Sequence, residues 1–360
     1  MAKKSLSLHW SAKESYRRAI ESLAPIIQII IGAISAYSFS HFVLLHQVPL
    51  FAVTVSITAL GFTRDARPRR VVETALGMSL GIALSEVLVS VLGQGVWQMA
   101  LTLLVALITA RFISGSAAFA LTVGIQSMLV QLLVAPPGGP FIRSIDGFVG
   151  GVTALVVTAL IPRDPRGLAR TDAGKLFDVF LDSLDSLKLA TRNVELKMAD
   201  ETLSRVRRTQ PLVDNWRLSL DSAISIARIS PFLRKYRDEL GGQVRLMRGM
   251  DLATRNLRVV VRRIDFLLRD GQARPYLADL MEQISDATQV LRRGLEEPDV
   301  LDDAQEMLVE IIRQLDPKKH GIADQIREAS VLLLLRPMLV DLLCASGMTE
   351  EDARAELPEI

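Results

Sequence analysis

The chain has 360 residues, 49% of them hydrophobic and 23% charged, with 42 lysines and arginines against 40 aspartates and glutamates. A mean hydropathy of +0.29 at that charge content fits neither an ordinary soluble domain nor a bundle made only of membrane helices. The single cysteine, Cys344, excludes a disulfide framework and a thiolate metal cluster.

In chain order, residues 1–22 carry Trp10, Tyr16 and Ile20 at the spacing of one helical face, with Lys13, Arg17 and Arg18 on others. The segment is too long and polar for the start of a cleavable signal. A short helix lying in the cytoplasmic membrane interface is expected. Six apolar segments follow, at 23–45, 47–62, 71–92, 96–112, 116–135 and 144–161. About 20 apolar residues cover a hydrocarbon core of about 30 Å, so residues 23–162 are read as a six-span transmembrane domain. The links "LHQVP", "TRDARPRR", "GQG", "RFISGS" and "APPGGPFIR" are short enough to force antiparallel neighbours.

Lysine and arginine are retained on the cytoplasmic side. Lys3, Lys4, Lys13, Arg17 and Arg18 precede the first segment, and Arg64, Arg67, Arg69 and Arg70 fill the second link. Arg111 lies in the fourth link, Arg163, Arg166 and Arg170 follow the sixth segment, and Arg143 stands alone on the opposite side. This asymmetry predicts a multi-pass protein of the plasma membrane with both termini cytoplasmic.

After Pro162 come 31 lysines and arginines and 34 aspartates and glutamates. Leu176, Phe180, Leu184 and Leu187 recur at helical spacing, and the pattern repeats with breaks expected at Pro211, Pro231, Gly241-Gly242, Gly271, Pro298 and Pro317. Residues 163–360 are therefore read as a cytosolic bundle of roughly six helices. In "VLLLLRPMLVDLLCASG", Arg336-Pro337 and Asp341 argue against a seventh span, since charges at a bilayer centre cost at least about 2.5 kcal/mol. The fold class is an all-α membrane protein, six transmembrane helices followed by a cytosolic helical bundle.

No GxxxxGK[ST] loop and no Ser/His/Asp or paired-glutamate constellation occurs, so no catalytic residue, metal or cofactor is expected. His41 and His46, flanking the first outer turn, read as polar headgroup contacts ahead of a metal or proton site. Ionisable residues inside a membrane are costly and mark bundle interiors or aqueous paths. Glu86 reads equally as a pathway group or as a carboxylate bonded to a neighbouring helix. Gln126 and Gln131 read first as interhelical glue and second as pathway candidates, and Asp146 is expected to pair with Arg143. Gly77 with Gly81, and Gly147 with Gly151, form two GxxxG pairs that let helix backbones approach closely.

The Arg-rich link feeding "RRVVETALGMSLGIAL", in a six-span block ahead of a long helical region, resembles the fusaric acid resistance/aromatic acid exporter superfamily. The matching positions are Arg69, Arg70, Gly77 and Gly81. The layout is also similar to the aluminium-activated malate transporter family of anion channels, and it lacks the duplicated membrane block of longer exporters. The resemblance implies export of aromatic or amphipathic organic acids driven by the proton gradient. A passive organic-anion channel is the first alternative, and a membrane-anchored scaffold whose bundle binds a partner is the second. Arg64, Arg67, Arg69 and Arg70 then read both as topology signals and as a cationic collar, because clustered positive charge concentrates anions and guanidinium forks match carboxylates. The partners expected are membrane lipid, a small organic anion and a second copy of the chain in a homodimer, with no nucleic acid.

Overall fold

The computed structural model describes residues 22–61, 68–134, 139, 141–161, 165–230 and 234–359. Among them there is no strand, and the chain forms two units, Met1–Arg163 with Ser225–Arg234, and Asp164–Ile224 with Lys235–Ile360. The expected interfacial helix, with Arg64, Arg67 and Pro231, lies outside the described residues.

The first unit holds α1 (Leu23–Ser38, running into a π-helical turn at Phe39–Val43), α2 (Leu50–Leu60), α3 (Pro68–Leu92), α4 (Val96–Ile113), α5 (Ala117–Leu132) and α6 (Ile142–Leu160). Each falls on one of the six apolar segments, but their lengths are unequal. Five helical segments are long and apolar enough to cross a membrane: Leu23–Val43, α3, α4, α6 and Ile326–Ser346 of the second unit. Helix α2 has 11 residues and α5 has 16, so α2 rises only about 16 Å, roughly half a hydrocarbon core. Its reach is cut by Pro49 before the first turn and by Gly61, whose φ of +42 ends the helix.

Successive helices run antiparallel. On α3, Gly77 meets the ring of Phe119, Gly81 meets the backbone of Val123, and Ser85 Oγ donates to the Ser127 carbonyl at 2.8 Å. The constant offset makes α3 and α5 parallel neighbours, with α4 returning between them. Gly147 and Gly151 of α6 pack on Ile82 and Ala75 of α3 in the opposite sense, and Gly150 sits on the Ala52 carbonyl of α2. Phe51, Val55, Met78, Ile82 and Val130 form the centre of this core. Ile34, Phe42, Ile108, Ile125 and Phe148 point outward and exposed, as side chains facing lipid do.

The second unit contains α7 (Pro165–Asn193), α8 (Leu196–Val206), α9 (Gln210–Ile229, up to Ile224), α10 (Arg237–Leu268), α11 (Pro275–Arg293), α12 (Leu301–Ile312), α13 (Ile326–Ser346) and the short α14 (Glu350–Ala355). Leu176, Phe180, Leu184 and Leu187 are buried along α7, and Trp216 packs near Phe177 with ring centroids 6.3 Å apart. One expected break is absent, at Gly241-Gly242, while the one expected at Pro211 falls just ahead of it, between α8 and α9. Gly241-Gly242 lies inside α10, where an interior glycine costs about 1 kcal/mol and the helix gains an apolar face through Leu246, Met250 and Leu257. Pro211 sits in the first turn of α9, where its missing N–H costs nothing. Helix α13 also continues through Pro337 and is held within this unit: Arg336 donates to the Pro358 carbonyl at 2.7 Å, and Asn256 donates to Asp341 at 2.6 Å.

Candidate functional site

The charged side chains described on the six helices of the first unit gather at its two ends. The antiparallel order puts the starts of α3 and α5 at one end, where a cleft of about 400 Å³ is lined by Arg69, Arg70, Glu73, Ser116, Phe119 and Thr122. Arg69 Nε donates to Glu73 at 2.9 Å, one helical turn on, and both side chains are exposed. Such a pair contributes at most about 1 kcal/mol, so the arginine is readily available to another anion.

The other end holds the turn between α1 and α2, the end of α5 and the start of α6. Here a second cleft, of about 410 Å³, is lined by His46, Leu50, Phe51, Leu133, Arg143 and Asp146. Three polar groups brace it. The Arg143 guanidinium donates to the carbonyls of Val130, Leu133 and Val134 at 2.9, 2.9 and 2.7 Å, satisfying the open end of α5. Glu86 of α3 accepts the backbone N–H groups of Arg143 and Ser144 at 3.2 and 3.1 Å, and the Ser144 hydroxyl at 2.5 Å. A carboxylate at a helix N-terminus also meets the positive end of the helix dipole. Asp146 pairs with His46 Nδ1 at 2.8 Å and not with Arg143, whose guanidinium is already committed to carbonyls.

Between the clefts the helices are closely packed. The Ser127 hydroxyl donates to Gly81 and Val123 carbonyls at 3.0 and 2.9 Å, and Thr158 donates to Ala154 within α6. Gln126 and Gln131 are buried on α5: Gln131 Nε2 donates to Thr102 Oγ1 on α4 at 2.8 Å, while neither side-chain carbonyl oxygen has a partner among the described residues. Among the described residues no group of three or more His, Cys, Asp or Glu is placed to hold a metal. The structure thus brings Arg69 and Arg70 to one end and Glu86 to the other, with the two glutamines buried on α5. The His46–Asp146 pair joins residues 100 apart in sequence, and no local pattern announces it.

A bundle of apolar helices with polar clefts at its two ends is the build of a multi-pass membrane protein. Residues 31–157 match the family described as fusaric acid resistance protein-like, a stretch that contains Arg69, Arg70, Gly77 and Gly81, the positions that carry the resemblance. The chain is also similar to an uncharacterized protein of Corynebacterium glutamicum, 29% identical, covering 99% of this chain and 95% of that one. A protein of Mycobacterium tuberculosis, named "Putative arylamide transporter", is 28% identical over 149 residues, which are 40% of this chain and 42% of its own length; a Mycobacterium bovis protein of the same name matches equally.

Proposed function

We propose that this chain is a membrane transporter that exports aromatic or amphipathic organic acids, driven by the proton gradient. It sits in the plasma membrane with six passes, both termini inside, and works as a homodimer. The family match and the transporter name of the mycobacterial relatives support the transport class.

One observation carries the reading: an arginine-bearing cleft and a histidine- and carboxylate-bearing cleft lie at opposite ends of one bundle, with glycine-mediated packing between them. Each volume falls in the range of about 300–1,000 Å³ typical of small-molecule sites. The arginines gather the organic anion at the cytoplasmic end, and the aromatic edge of Phe119 suits a flat ring. Packing at Gly81 and Gly150 closes the middle, which favours a path opened by helix movement over a standing pore. The passive channel is the competing reading, and counterflow in proteoliposomes separates the two. A transporter exchanges labelled for unlabelled substrate and accumulates it when a pH gradient is imposed. A channel follows the membrane potential and is indifferent to the pH gradient.

A further inference from the structure

We infer that His46 and Asp146 form the proton-binding pair through which the pH gradient acts on this bundle, an inference that rests on the proton-driven transport reading above. Asp146 is only 3% exposed at its side chain and stands in the first turns of α6, an apolar helix long enough to span. A buried carboxylate without a partner costs several kcal/mol, and its partner is the imidazole of His46. The tautomer that donates Nδ1–H to Asp146 leaves Nε2 with a lone pair. That nitrogen has no hydrogen-bond partner among the described residues, and the residue lines the cleft. Histidine is the side chain whose charge ordinarily changes between pH 5 and 8. A proton arriving from the cleft adds to Nε2, the imidazolium so formed is balanced by the Asp146 carboxylate, and release returns the proton from the same nitrogen.

The other charged or titratable groups around the pair are Arg143 on α6, Glu86 on α3, and His41 and Tyr37 on the α1 side; α2 and α5 contribute none. Each is occupied differently. Arg143 is bound to three carbonyls, and both Glu86 oxygens accept bonds from the start of α6. His41 Nδ1 bonds the His46 carbonyl at 2.9 Å while its ring stacks on Tyr37. The His46 N–H donates to the Ser40 carbonyl at 3.1 Å, closing the turn that follows the π-helical segment. His46 is therefore held on a structured turn, and its ion pair with Asp146 ties that turn to α6. Gaining or losing the proton changes the strength of that tie, coupling charge at the cleft to the contact between α1–α2 and α6.

The test uses the full chain in proteoliposomes with 2-naphthalenesulfonate, a permanent aromatic anion that does not cross lipid as a neutral acid, and with pyranine trapped inside to report protons. Wild type should show counterflow of the sulfonate, accumulation under a pH gradient, and proton movement accompanying it. In His46→Gln and Asp146→Asn, accumulation should fall to simple equilibration and proton movement should vanish when both are compared per sulfonate molecule exchanged. Asp146→Glu, which keeps the charge, should restore part of the proton movement and guards against a folding defect in the amide. Variants that still accumulate the sulfonate to the wild-type ratio would overturn the pair's role while leaving the transporter reading intact. Wild type that exchanges sulfonate but ignores the pH gradient would overturn both the proton drive and this inference. Absence of counterflow in folded wild type would remove the transport reading itself for this class of anion, and with it the inference.

Discussion

Glu86 and Ser144 stand 58 residues apart and meet through both the backbone N–H and the hydroxyl of the serine, at 3.1 and 2.5 Å. With the Arg143 N–H on its other oxygen, Glu86 caps the first turn of α6 from the far part of α3. Arg143, next in that same turn, closes the end of α5. Two neighbouring residues therefore join three helices at one end of the bundle.

Removing that cap should destabilise the bundle. Hydrogen bonds to a charged group contribute about 1.5–3 kcal/mol each, and stranded donors carry their own desolvation cost. Glu86→Ala should lose at least about 2 kcal/mol in detergent unfolding, and Glu86→Gln, which keeps one acceptor oxygen, about half as much. An alanine variant as stable as wild type would mean the cap does not form. A glutamine variant that keeps its stability and loses transport would instead assign Glu86 to the path.

The glycines separate into those facing backbone and those facing flexible side chains. A Cβ on Gly81 would stand 2.5 Å from the Val123 carbonyl oxygen, and one on Gly150 would press on the Ala52 carbonyl. At Gly147 the nearest atom is the Ile82 side-chain tip, 2.8 Å away, which can rotate. Gly81→Ala and Gly150→Ala should each cost about 1–3 kcal/mol, the usual range for overpacking, and Gly147→Ala clearly less. Equal losses at all three would show that the helices are not seated at this register.

These residues also show what the sequence makes legible. The apolar stretches, their order and the buried stripe Leu176–Phe180–Leu184–Leu187 follow from periodicity, because burial on one helical face repeats at a fixed spacing. GxxxG spacing marks Gly77, Gly81, Gly147 and Gly151 as contact points, but Gly150, adjacent to one pair and tight on α2, has no such signature. Helix α2 looks like a span as an apolar run and is cut to 11 residues by Pro49 and Gly61. Gly241-Gly242 looks like a break and is carried through by the packing of the rest of α10. The partners of Glu86, Arg143 and Asp146 come from helices brought together only by the fold, so the residue types were visible and their pairing was not.

In the second unit, acid stability should depend on Asp270. Its carboxylate accepts from the Arg274 guanidinium and from the Gln272 N–H at 3.0 Å. The Arg274 hydrogen bonds hold the carboxyl down at about 2, against a weaker upward push from desolvation. A carboxyl depressed in the folded chain binds fewer protons there than in the unfolded chain, so its stabilising effect is complete above about pH 4 and is lost as pH falls toward 2. Thermal unfolding followed from about pH 5 to about pH 2.5 should fall less steeply for Asp270→Asn than for wild type. Parallel curves would show that the Arg274 contact does not persist in solution.

Topology is open to direct labelling, because Cys344 is the only cysteine and Cys344→Ser supplies a clean background. In the orientation proposed, a cysteine at Gln94, between α3 and α4, should react with an impermeant maleimide added to intact cells. One at Ser116, between α4 and α5, should react only after permeabilisation. The same order should hold for Gln47 against Arg70, which tests the short helix α2: if it fails to carry the chain across, both positions label from one side.

The cationic cleft should select by charge. If Arg69 and Arg70 concentrate organic anions, the double variant to glutamine should lower 2-naphthalenesulfonate flux by roughly tenfold, the low end of the local-concentration effect of about 10–10³. The neutral 2-naphthalenesulfonamide, nearly the same size and shape, should be much less affected. Wild-type sulfonate flux should also weaken with salt, since the Debye length shrinks from about 10 Å at 0.1 M to about 3 Å at 1 M. The exposed Arg69–Glu73 pair allows a finer check: Glu73→Gln frees the guanidinium from its intrahelical partner and should raise the sulfonate rate at low salt, an increase that disappears at high salt. Arginines serving only orientation would give a variant that misinserts, or one that inserts correctly and transports both compounds normally. Equal loss for the sulfonate and the sulfonamide in a correctly inserted protein would assign the two side chains to packing around Phe119, because only an electrostatic role distinguishes the two probes.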